Sequence, residues 1–598
     1  MRIAIVDSDR CKGGKDCPYI CVKFCPGVRM GDQTIVVDKD TTKPVISESL
    51  CSGCGICVNK CQFGALTVIN LLEPPKQPPV HRYGENAFRL FGLPVPRAGK
   101  VVGIIGQNGV GKTTAIKILS GEMKPNLGDF EDGEKSWDQV SDFFRGSELQ
   151  PYFESISART LRTVMKPQHI GQLPKIAKGS AGKLLKRADE RGVFGEIVQG
   201  LDFKEALDKD VASLSGGELQ RLTIGAVLAK DADVYFFDEP TSYLDIYQRL
   251  NASKMIRGLA AQGKSVVLIE HDMTSLDYMS DYIHLLVGIP GAYGLVSGIR
   301  SVGAGINTYL DGFLPQENLR IREHPVRFKI HSPIAAQEGE ELTSFTTLRK
   351  SFGSEFSLVV DGARIHQNTV VGIFGPNAIG KSTFVRMIAG EIDPDEGSMK
   401  KKVTVSYKPQ YVTVQKDEPV VELLRRVAQD RFEASIYRTQ VLKPLGITRL
   451  LDLNLSTLSG GELQKVAVAE ALSRNADLIV LDEPTAHIDV EERIVLSGVI
   501  RDVVEKGSKG CLVVDHDTQF LDVVSDTLMI FEGTLGVKGH GMGPFEKRIG
   551  MNRFLKQMQI TYRRDLHTGR PRINKEDSKL DKEQKRKGEY YYLPLAES

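Results

Sequence analysis

The sequence has no apolar run approaching the roughly 18 residues of a membrane-spanning helix; the longest, such as Val101–Ile105 and Val266–Ile269, are strand-sized. It also lacks an excess of either charge. Its 78 Lys and Arg face 76 Asp and Glu, leaving +2, which neither demands nor excludes a nucleic-acid partner, because only a local basic patch reveals one. The opening Met1-Arg-Ile-Ala-Ile-Val-Asp-Ser-Asp9 is too short and too acidic for a secretory signal. Together these absences imply a soluble cytoplasmic protein with no membrane partner. Cysteine is almost missing from most of the chain: eight of nine lie between Cys11 and Cys61, and Cys511 stands alone in a strand-like run. A secreted disulfide framework would not carry several hundred cysteine-free residues, so the clustered thiols read as metal ligands in a reducing compartment. With 41% apolar and 26% charged residues the chain is neither disordered nor fibrous, and 598 residues set a prior of about four domains.

Residues 1–72 hold the cysteines, and Glu73-Pro-Pro-Lys-Gln-Pro-Pro79 reads as a stiff linker. Beyond residue 80 the chain repeats itself. Gly106-Gln-Asn-Gly-Val-Gly-Lys-Thr113 returns as Gly375-Pro-Asn-Ala-Ile-Gly-Lys-Ser382, and Leu214-Ser-Gly-Gly-Glu-Leu-Gln-Arg221 as Leu458-Ser-Gly-Gly-Glu-Leu-Gln-Lys465. Val234-Tyr-Phe-Phe-Asp-Glu-Pro-Thr241 returns as Leu478-Ile-Val-Leu-Asp-Glu-Pro-Thr485, and Ile269-Glu-His-Asp272 as Val514-Asp-His-Asp517. A unit of over 200 residues is a duplicated domain and not a solenoid repeat. The offset between the halves is 269 residues at Lys112/Lys381 and 244 at Leu214/Leu458, so the first half holds an insertion. The surplus precedes Lys166-Pro-Gln168, the counterpart of Lys408-Pro-Gln410, and reads as a helix–loop–helix at about 129–156. Residues 291–325 form a Gly-rich, then basic, hinge between the halves, taken as 80–290 and 326–540. The tail, 541–598, is strongly positive up to Arg572, where eight Lys and Arg meet only Glu546 and Asp565.

Each half places a G-x-x-x-x-G-K-[ST] loop between a buried-strand run and an amphipathic helix, the setting in which backbone N–H groups and a helix N-terminus cradle phosphates. The nucleotide-binding residues are then Gly106, Asn108, Gly109, Gly111, Lys112, Thr113 and Thr114, with Gly375, Asn377, Gly380, Lys381, Ser382 and Thr383 in the second copy. The lysines reach β- and γ-phosphates, and the Thr113 and Ser382 hydroxyls ligate Mg²⁺. Asp238 and Asp482 end apolar strands, where a carboxylate faces Mg²⁺ at the carboxyl edge of a parallel sheet. Glu239 and Glu483, one residue on, are placed to polarise a water, and His271 and His516 to sense the γ-phosphate.

Leu-Ser-Gly-Gly-Glu-Leu-Gln is the signature of the ATP-binding cassette (ABC) family, which the chain resembles over both halves. The resemblance implies α/β folds: two tandem P-loop ABC domains that hydrolyse ATP, each signature (Ser215, Gly216, Gly217; Ser459, Gly460, Gly461) closing on the other half's P-loop. It also makes Gln168 and Gln410 the Q-loops, with Mg²⁺ contact, and Asp245 and Asp489 the D-loops. Aromatic residues upstream of the P-loops, Tyr83 with Phe88 and Phe352 with Phe356, are placed to stack adenine or to pack the core. Ala378 in place of Gly109, and Ala486 in place of Ser242, predict unequal turnover at the two sites.

Cys51-x2-Cys54-x2-Cys57-x3-Cys61 has the bacterial ferredoxin spacing, with Gln62 where Pro is usual; Cys11, Cys17, Cys21 and Cys25-Pro26 form a looser set. Carried over from two-cluster ferredoxins, in which the fourth cysteine ligates the other cluster, Cys11, Cys17, Cys21 and Cys61 bind one [4Fe–4S] and Cys25, Cys51, Cys54 and Cys57 the other. Zinc in four-cysteine sites is the competing reading. The combination of an α+β ferredoxin-like domain with two cassettes resembles ABC subfamily E, the ribosome-recycling ATPases also known as the ribonuclease L inhibitor family. That resemblance implies ATP, Mg²⁺ and two clusters as cofactors. Implied partners are the small ribosomal subunit and its RNA, a peptide release factor or its stalled-ribosome paralogue, and initiation factors. A monomer pairing its own cassettes is expected. Arg145, Ser147, Arg300, Arg320, Arg322, Arg327, Arg548, Arg553, Arg563 and Arg564 are the expected ribosome contacts, or they simply join the cassettes. Rival readings are a detached transporter ATPase, which has no use for clusters, a subfamily F translation ATPase, which lacks the cysteine domain, and an ATP-gated electron-transfer protein.

Overall fold

The computed structural model describes the whole chain except residues 1, 7–9, 15–16, 39–40, 48–49, 71–77, 132, 169, 318, 323–324, 329–339, 354, 401–402, 415 and 592–598. Most of the linker at 73–79 and the Arg320 side chain therefore lie outside the described residues. The chain divides into two compact units, Met1–Leu244 with Gln248–Pro325, and Val326–Ser598 with Asp245–Tyr247. No helix among the described residues is long and apolar enough to cross a membrane.

The cysteine region of the first unit is built on two antiparallel pairs, Arg2–Val6 with Leu66–Asn70 and Ile35–Val37 with Pro44–Ile46. Short helices at Ile20–Lys23, Pro26–Arg29 and Ile56–Lys60 carry or flank the cysteines. Ala4, Ile35, Ile46 and Leu66 pack with the thiols of Cys21, Cys25 and Cys57 in one small core.

Both units then use the same five-strand parallel core. In the first it runs Tyr282–Ile289, Val101–Ile105, Ser265–Ile269, Val234–Asp238, Thr163–Lys166. In the second it runs Thr527–Thr534, Thr369–Phe374, Gly510–Val514, Leu478–Asp482, Val405–Lys408. Val101–Ile105 and Leu478–Asp482 are buried at every position, as strands covered on both faces must be, and this explains the apolar runs Val101–Ile105 and Leu478–Leu481. The charged residues that follow these strands therefore gather, in each unit, at the carboxyl ends of the strands.

The surplus of the first half folds as two helices, Trp137–Phe143 and Gln150–Ser157. Ser136 and Gln139 form a capping box at the first, and Gly146 (φ 78°) turns the chain between them. Trp137 and Phe144 both stack on Phe153, at ring separations of 5.9 and 5.2 Å. Phe153 is fully buried in the same core as Ile116, Leu119 and Phe236, so the pair of helices is welded to the sheet.

Two boundaries differ from the sequence reading. Tyr293–Val296, inside the expected hinge, is a strand of the first sheet, and Val302–Asp311 is a helix closed by Gly312 (φ 76°). Likewise Lys538–Glu546 crosses residue 541 as a strand of the second sheet. Phe554 of the following helix, Lys547–Gln557, stacks on Phe374 at 4.4 Å. Glycine and arginine content suggested loose connectors, but pairing of the backbone with existing sheet edges overrides composition.

Candidate functional site

The phosphate-type loops open their helices with glycine in the left-handed region, Gly111 at φ 92° and Gly380 at φ 102°. A Cβ at Gly111 would stand 2.5 Å from the Phe88 ring, so the aromatic closes directly over the loop. Phe356 approaches Gly380 in the same way. Tyr83 and Phe352 lie 6.4 Å from these rings and are about half exposed, leaving a face open beside each loop. The Tyr83 hydroxyl is 3.0 Å from Thr114 Oγ1.

The Lys112 ammonium donates to the carbonyls of Gly106 and Gln107, both at 2.8 Å, and Lys381 to those of Gly375 (2.8 Å) and Pro376 (2.6 Å). Thr113 donates to Asp238 at 2.8 Å. Asp482 is different: it is fully buried, neither oxygen has a hydrogen-bond partner of good geometry, and burial pushes its carboxyl up to about 6 despite the nearby Ser382 hydroxyl. A buried carboxylate without donors is costly unless a cation completes it, so this donor set fits a hard divalent ion such as Mg²⁺.

The glutamates that follow form the centre of each constellation. Gln168 Nε2 donates to Glu239 Oε1 at 2.7 Å, and His271 Nε2 lies 3.4 Å from the same oxygen. Gln410 and His516 repeat this at Glu483, at 2.7 and 3.3 Å. Burial alone would raise both carboxyls, but it is outweighed by the histidine and the P-loop lysine, and both sit at about 2. At neutral pH each is a fixed anion that can orient a water.

The signature segments cap helices Gly216–Leu228 and Gly460–Ser473 through Ser215 with Glu218 and Ser459 with Glu462. A Cβ at Gly461 would come 2.6 Å from the His487 carbonyl, which explains the glycine. Asp245 and Asp489 precede helices Ile246–Ala261 and Val490–Gly507.

Sequence reasoning passed over several side chains that hold this edge together. Glu270 accepts Thr241 Oγ1 (2.7 Å) and the His271 amide (2.8 Å), and Asp515 accepts Thr485. Arg249 Nε donates to the Leu244 carbonyl at 2.8 Å and its Nη1 to Asp272 at 3.1 Å; Arg493 does the same with Ile488 and Asp517. Lys166 and Lys408 are buried at the ends of their strands. Their signal was recurrence, since each stands at the same register in both halves.

Among the thiols, Cys21 is pushed up to about 11 by burial and then by its neighbours Cys17, Cys61 and Cys11. Cys25, Cys51, Cys54 and Cys57 line one cavity, where the Ala4 amide also donates to the Cys51 sulfur. Cys11, Cys17 and Cys61 thus neighbour Cys21, while the other four share the cavity. Among the described residues no group of His, Cys, Asp or Glu is gathered closely enough to hold a single metal ion. Thiols spread round a cavity suit a four-iron cube, which separates its ligands, and so the residues fit iron–sulfur clusters.

Two expected ribosome contacts are corrected. Arg300 is buried against Glu317 (2.7 Å), and Arg564 against Asp522 (2.6 Å), so neither guanidinium is available to a phosphate. Arg322 spends its guanidinium on the carbonyls of Tyr309 and Leu310, and Arg327 is exposed. Arg553 pairs with Glu532 and Arg563 with Asn574, both half-buried, while Arg145, Ser147 and Arg548 are exposed.

The ABC transporter family profile matches residues 96–242 and 362–486, a 4Fe-4S binding domain matches 44–67, and a possible Fer4-like domain in RNase L inhibitor, RLI, matches 1–33. ABC transporter E family member 1 of Arabidopsis thaliana is 42% identical over 598 residues, 99% of each chain. A model of ribosome-bound archaeal Pelota and ABCE1 matches at TM-score 0.90 and 49% identity, over 99% of each chain. The crystal structure of archaeal ribosomal stalk protein aP1 with the archaeal ribosome recycling factor aABCE1 matches at TM-score 0.82 and 49% identity, over 86% of this chain and 99% of that one. With two ABC-type ATPase folds behind an iron–sulfur region, and this likeness along its full length, the chain belongs to the E family of ABC proteins, that of the RNase L inhibitor.

Proposed function

We propose that the chain is an ATP-dependent ribosome recycling factor, which splits ribosomes into subunits after termination or stalling. The observation that carries this reading is the joining, in one chain, of two glutamate–glutamine–histidine constellations to a small cysteine-rich fold with eight clustered thiols. In this reading the domains are an iron–sulfur domain with two [4Fe–4S] clusters, two cassettes, the insert, and basic connecting segments.

In each cassette Lys112 or Lys381 turns from its loop carbonyls to the β- and γ-phosphates of ATP, while Tyr83 with Phe88, or Phe352 with Phe356, stack the adenine. Thr113, Gln168 and Asp238, or Ser382, Gln410 and Asp482, hold Mg²⁺, which when bound neutralises phosphate charge. Glu239 and Glu483 orient the attacking water, and His271 and His516 face the γ-phosphate. Ser215–Gly217 closes on the loop of Lys381, and Ser459–Gly461 on that of Lys112, with Asp245 and Asp489 beside them. Two ATP molecules thereby favour the closed pair, to the extent that they bind it more tightly than the open one. Closure carries the cysteine domain as a rigid lever into the subunit interface. Hydrolysis reopens the pair. The clusters, when bound, supply the covalent cross-links that make so small a domain stiff.

The partners in this reading are the small subunit and its RNA, a release factor or its stalled-ribosome paralogue, and initiation factors; the protein acts as a cytoplasmic monomer. Arg145, Ser147, Arg320, Arg322, Arg327, Arg548, Arg553 and Arg563 remain the ribosome contacts, and their phosphate pairing weakens steeply with salt. The test is a sucrose gradient. Ribosomes with this protein, the partner factor and ATP yield subunits, whereas a Cys25→Ser chain leaves them whole; intact ribosomes in the first arm refute the proposal.

A further inference from the structure

Each half buries a lysine that none of these roles uses. Lys166, 0% exposed, ends the strand Thr163–Lys166, and Lys408, 1% exposed, ends Val405–Lys408. The Lys166 ammonium donates to the carbonyls of Asp238 (2.9 Å) and Pro167 (3.0 Å), with Glu239 at 3.5 Å. Lys408 donates to Asp482 (2.8 Å) and Glu483 (3.1 Å). From another side, Gln220 Nε2 reaches the Glu239 carbonyl at 2.8 Å and Gln464 Nε2 that of Glu483 at 2.7 Å. Both glutamines sit in the helices capped by the signature serines.

An ammonium is expensive to bury, and an apolar side chain would fill the space at less cost. What it offers is three hydrogens, enough for the carbonyls that converge there and that an apolar replacement would leave unpaired. Those carbonyls belong to a strained stretch of backbone. Glu239 has φ 46° and Glu483 φ 48°, the left-handed region that residues other than glycine keep only when their surroundings hold them. Two residues beyond each lysine stands the glutamine whose amide meets the glutamate carboxylate at 2.7 Å.

We infer that Lys166 and Lys408 are positioning residues for hydrolysis: each pins the carbonyls of its aspartate–glutamate pair to the neighbouring strand end, and so fixes the glutamate carboxylate against the glutamine. Both ammonium groups are spent on protein carbonyls, so nucleotide binding is left alone while the geometry at the attacking water depends on them. A shift of the carboxylate by about 1 Å is enough for a hundredfold loss of rate.

This rests on Glu239 and Glu483 orienting the water, and the experiment separates the two claims. Steady-state ATP hydrolysis is measured for the full-length iron-loaded protein, a Lys166→Met/Lys408→Met chain and a Glu239→Gln/Glu483→Gln chain. In the lysine chain kcat falls roughly ten- to a hundredfold while KM for Mg-ATP stays within about threefold. An unchanged kcat, or a KM rising in step with any loss, overturns the inference. If the glutamine chain turns over at the parent rate, the water-orienting assignment fails. If that chain is inactive and the lysine chain turns over at the parent rate, only the positioning role fails. Should the double methionine chain not fold, Lys166→Met in a Glu483→Gln chain takes its place, with the nucleotide Kd read by fluorescence titration. A normal Kd with a slowed first site supports the inference; parent-like turnover at that site overturns it.

Discussion

The Ser242 hydroxyl donates to Glu239, Oγ to Oε2, at 3.2 Å, and at the equivalent place the second half has Ala486, which has no donor. The two carboxylates are otherwise held alike, by a glutamine and a histidine at nearly equal distances. One hydrogen bond therefore distinguishes them.

Unequal turnover is the expected consequence. Single Glu239→Gln and Glu483→Gln chains hydrolyse ATP at different rates, and Ser242→Ala in the Glu483→Gln chain moves its rate toward that of Glu239→Gln. A hydrogen bond to a charged group is worth about 1.5–3 kcal/mol, ample for a tenfold difference. Equal single-site rates in a steady-state assay would contradict it.

The second P-loop holds an alanine, Ala378, at φ 57°, where the first has Gly109 at φ 79°. A left-handed non-glycine residue costs about 1–2 kcal/mol. Ala378→Gly accordingly raises the stability of the nucleotide-free second unit by about 1 kcal/mol in urea unfolding. Gly109→Ala destabilises the first by a similar amount or more, because its Cβ would meet Pro290 at 3.2 Å.

Glu418 accepts from Arg426 Nη1 at 2.8 Å and Lys416 at 2.9 Å, and these bonds hold its carboxyl at about 2, below the ordinary 4.5. A carboxyl depressed in the folded state stabilises it above pH 4.5, and the contribution is lost as pH falls toward 2. Glu418→Gln should lower stability above pH 4.5 and flatten that limb of the acid unfolding curve, its deficit shrinking as pH falls toward 2; an unchanged acid limb would refute the pairing.

Phe153 and Arg145 lie in the same insert and should behave in opposite ways. Phe153→Ala empties a fully buried site and costs about 3–5 kcal/mol. Arg145→Ala leaves melting and basal ATP turnover unchanged, but lowers the slope of log affinity for small subunits against log salt by about one. Equal salt slopes would remove Arg145 from the ribosome contact.

Iron content distinguishes the two thiol sets. Protein purified without oxygen carries about eight irons per chain, and Cys25→Ser or Cys21→Ser about four, if the sets act separately. Basal ATP hydrolysis survives either change. Zinc without iron or sulfide in the parent protein would refute the cluster reading.

The motifs were legible because their chemistry is local. A glycine-rich turn between a buried strand and a helix, a carboxylate ending an apolar run, and a serine three residues before a glutamate are each fixed by neighbours in sequence, and their duplication left little room for chance. So were the helices around Phe153, announced by aromatic residues at helical spacing. The arginines were not legible. Sequence shows Arg300 and Arg564 as members of basic stretches, but only folding brings Glu317 and Asp522 against them and takes them from solvent. Composition also read residues after 291 and 541 as connectors, although sheet edges claim Tyr293–Val296 and Lys538–Glu546. Lys166 and Lys408 mark the limit most clearly. A lysine ending a strand is ordinarily a solvated charge, and its sequence neighbours say nothing else. The carbonyls of Asp238 and Asp482 reach these lysines from a strand more than 70 residues away. Residue type and spacing determined which chemical groups this protein owns; tertiary structure decided which of them face water and which face one another, because burial and long-range pairing depend on packing between distant segments.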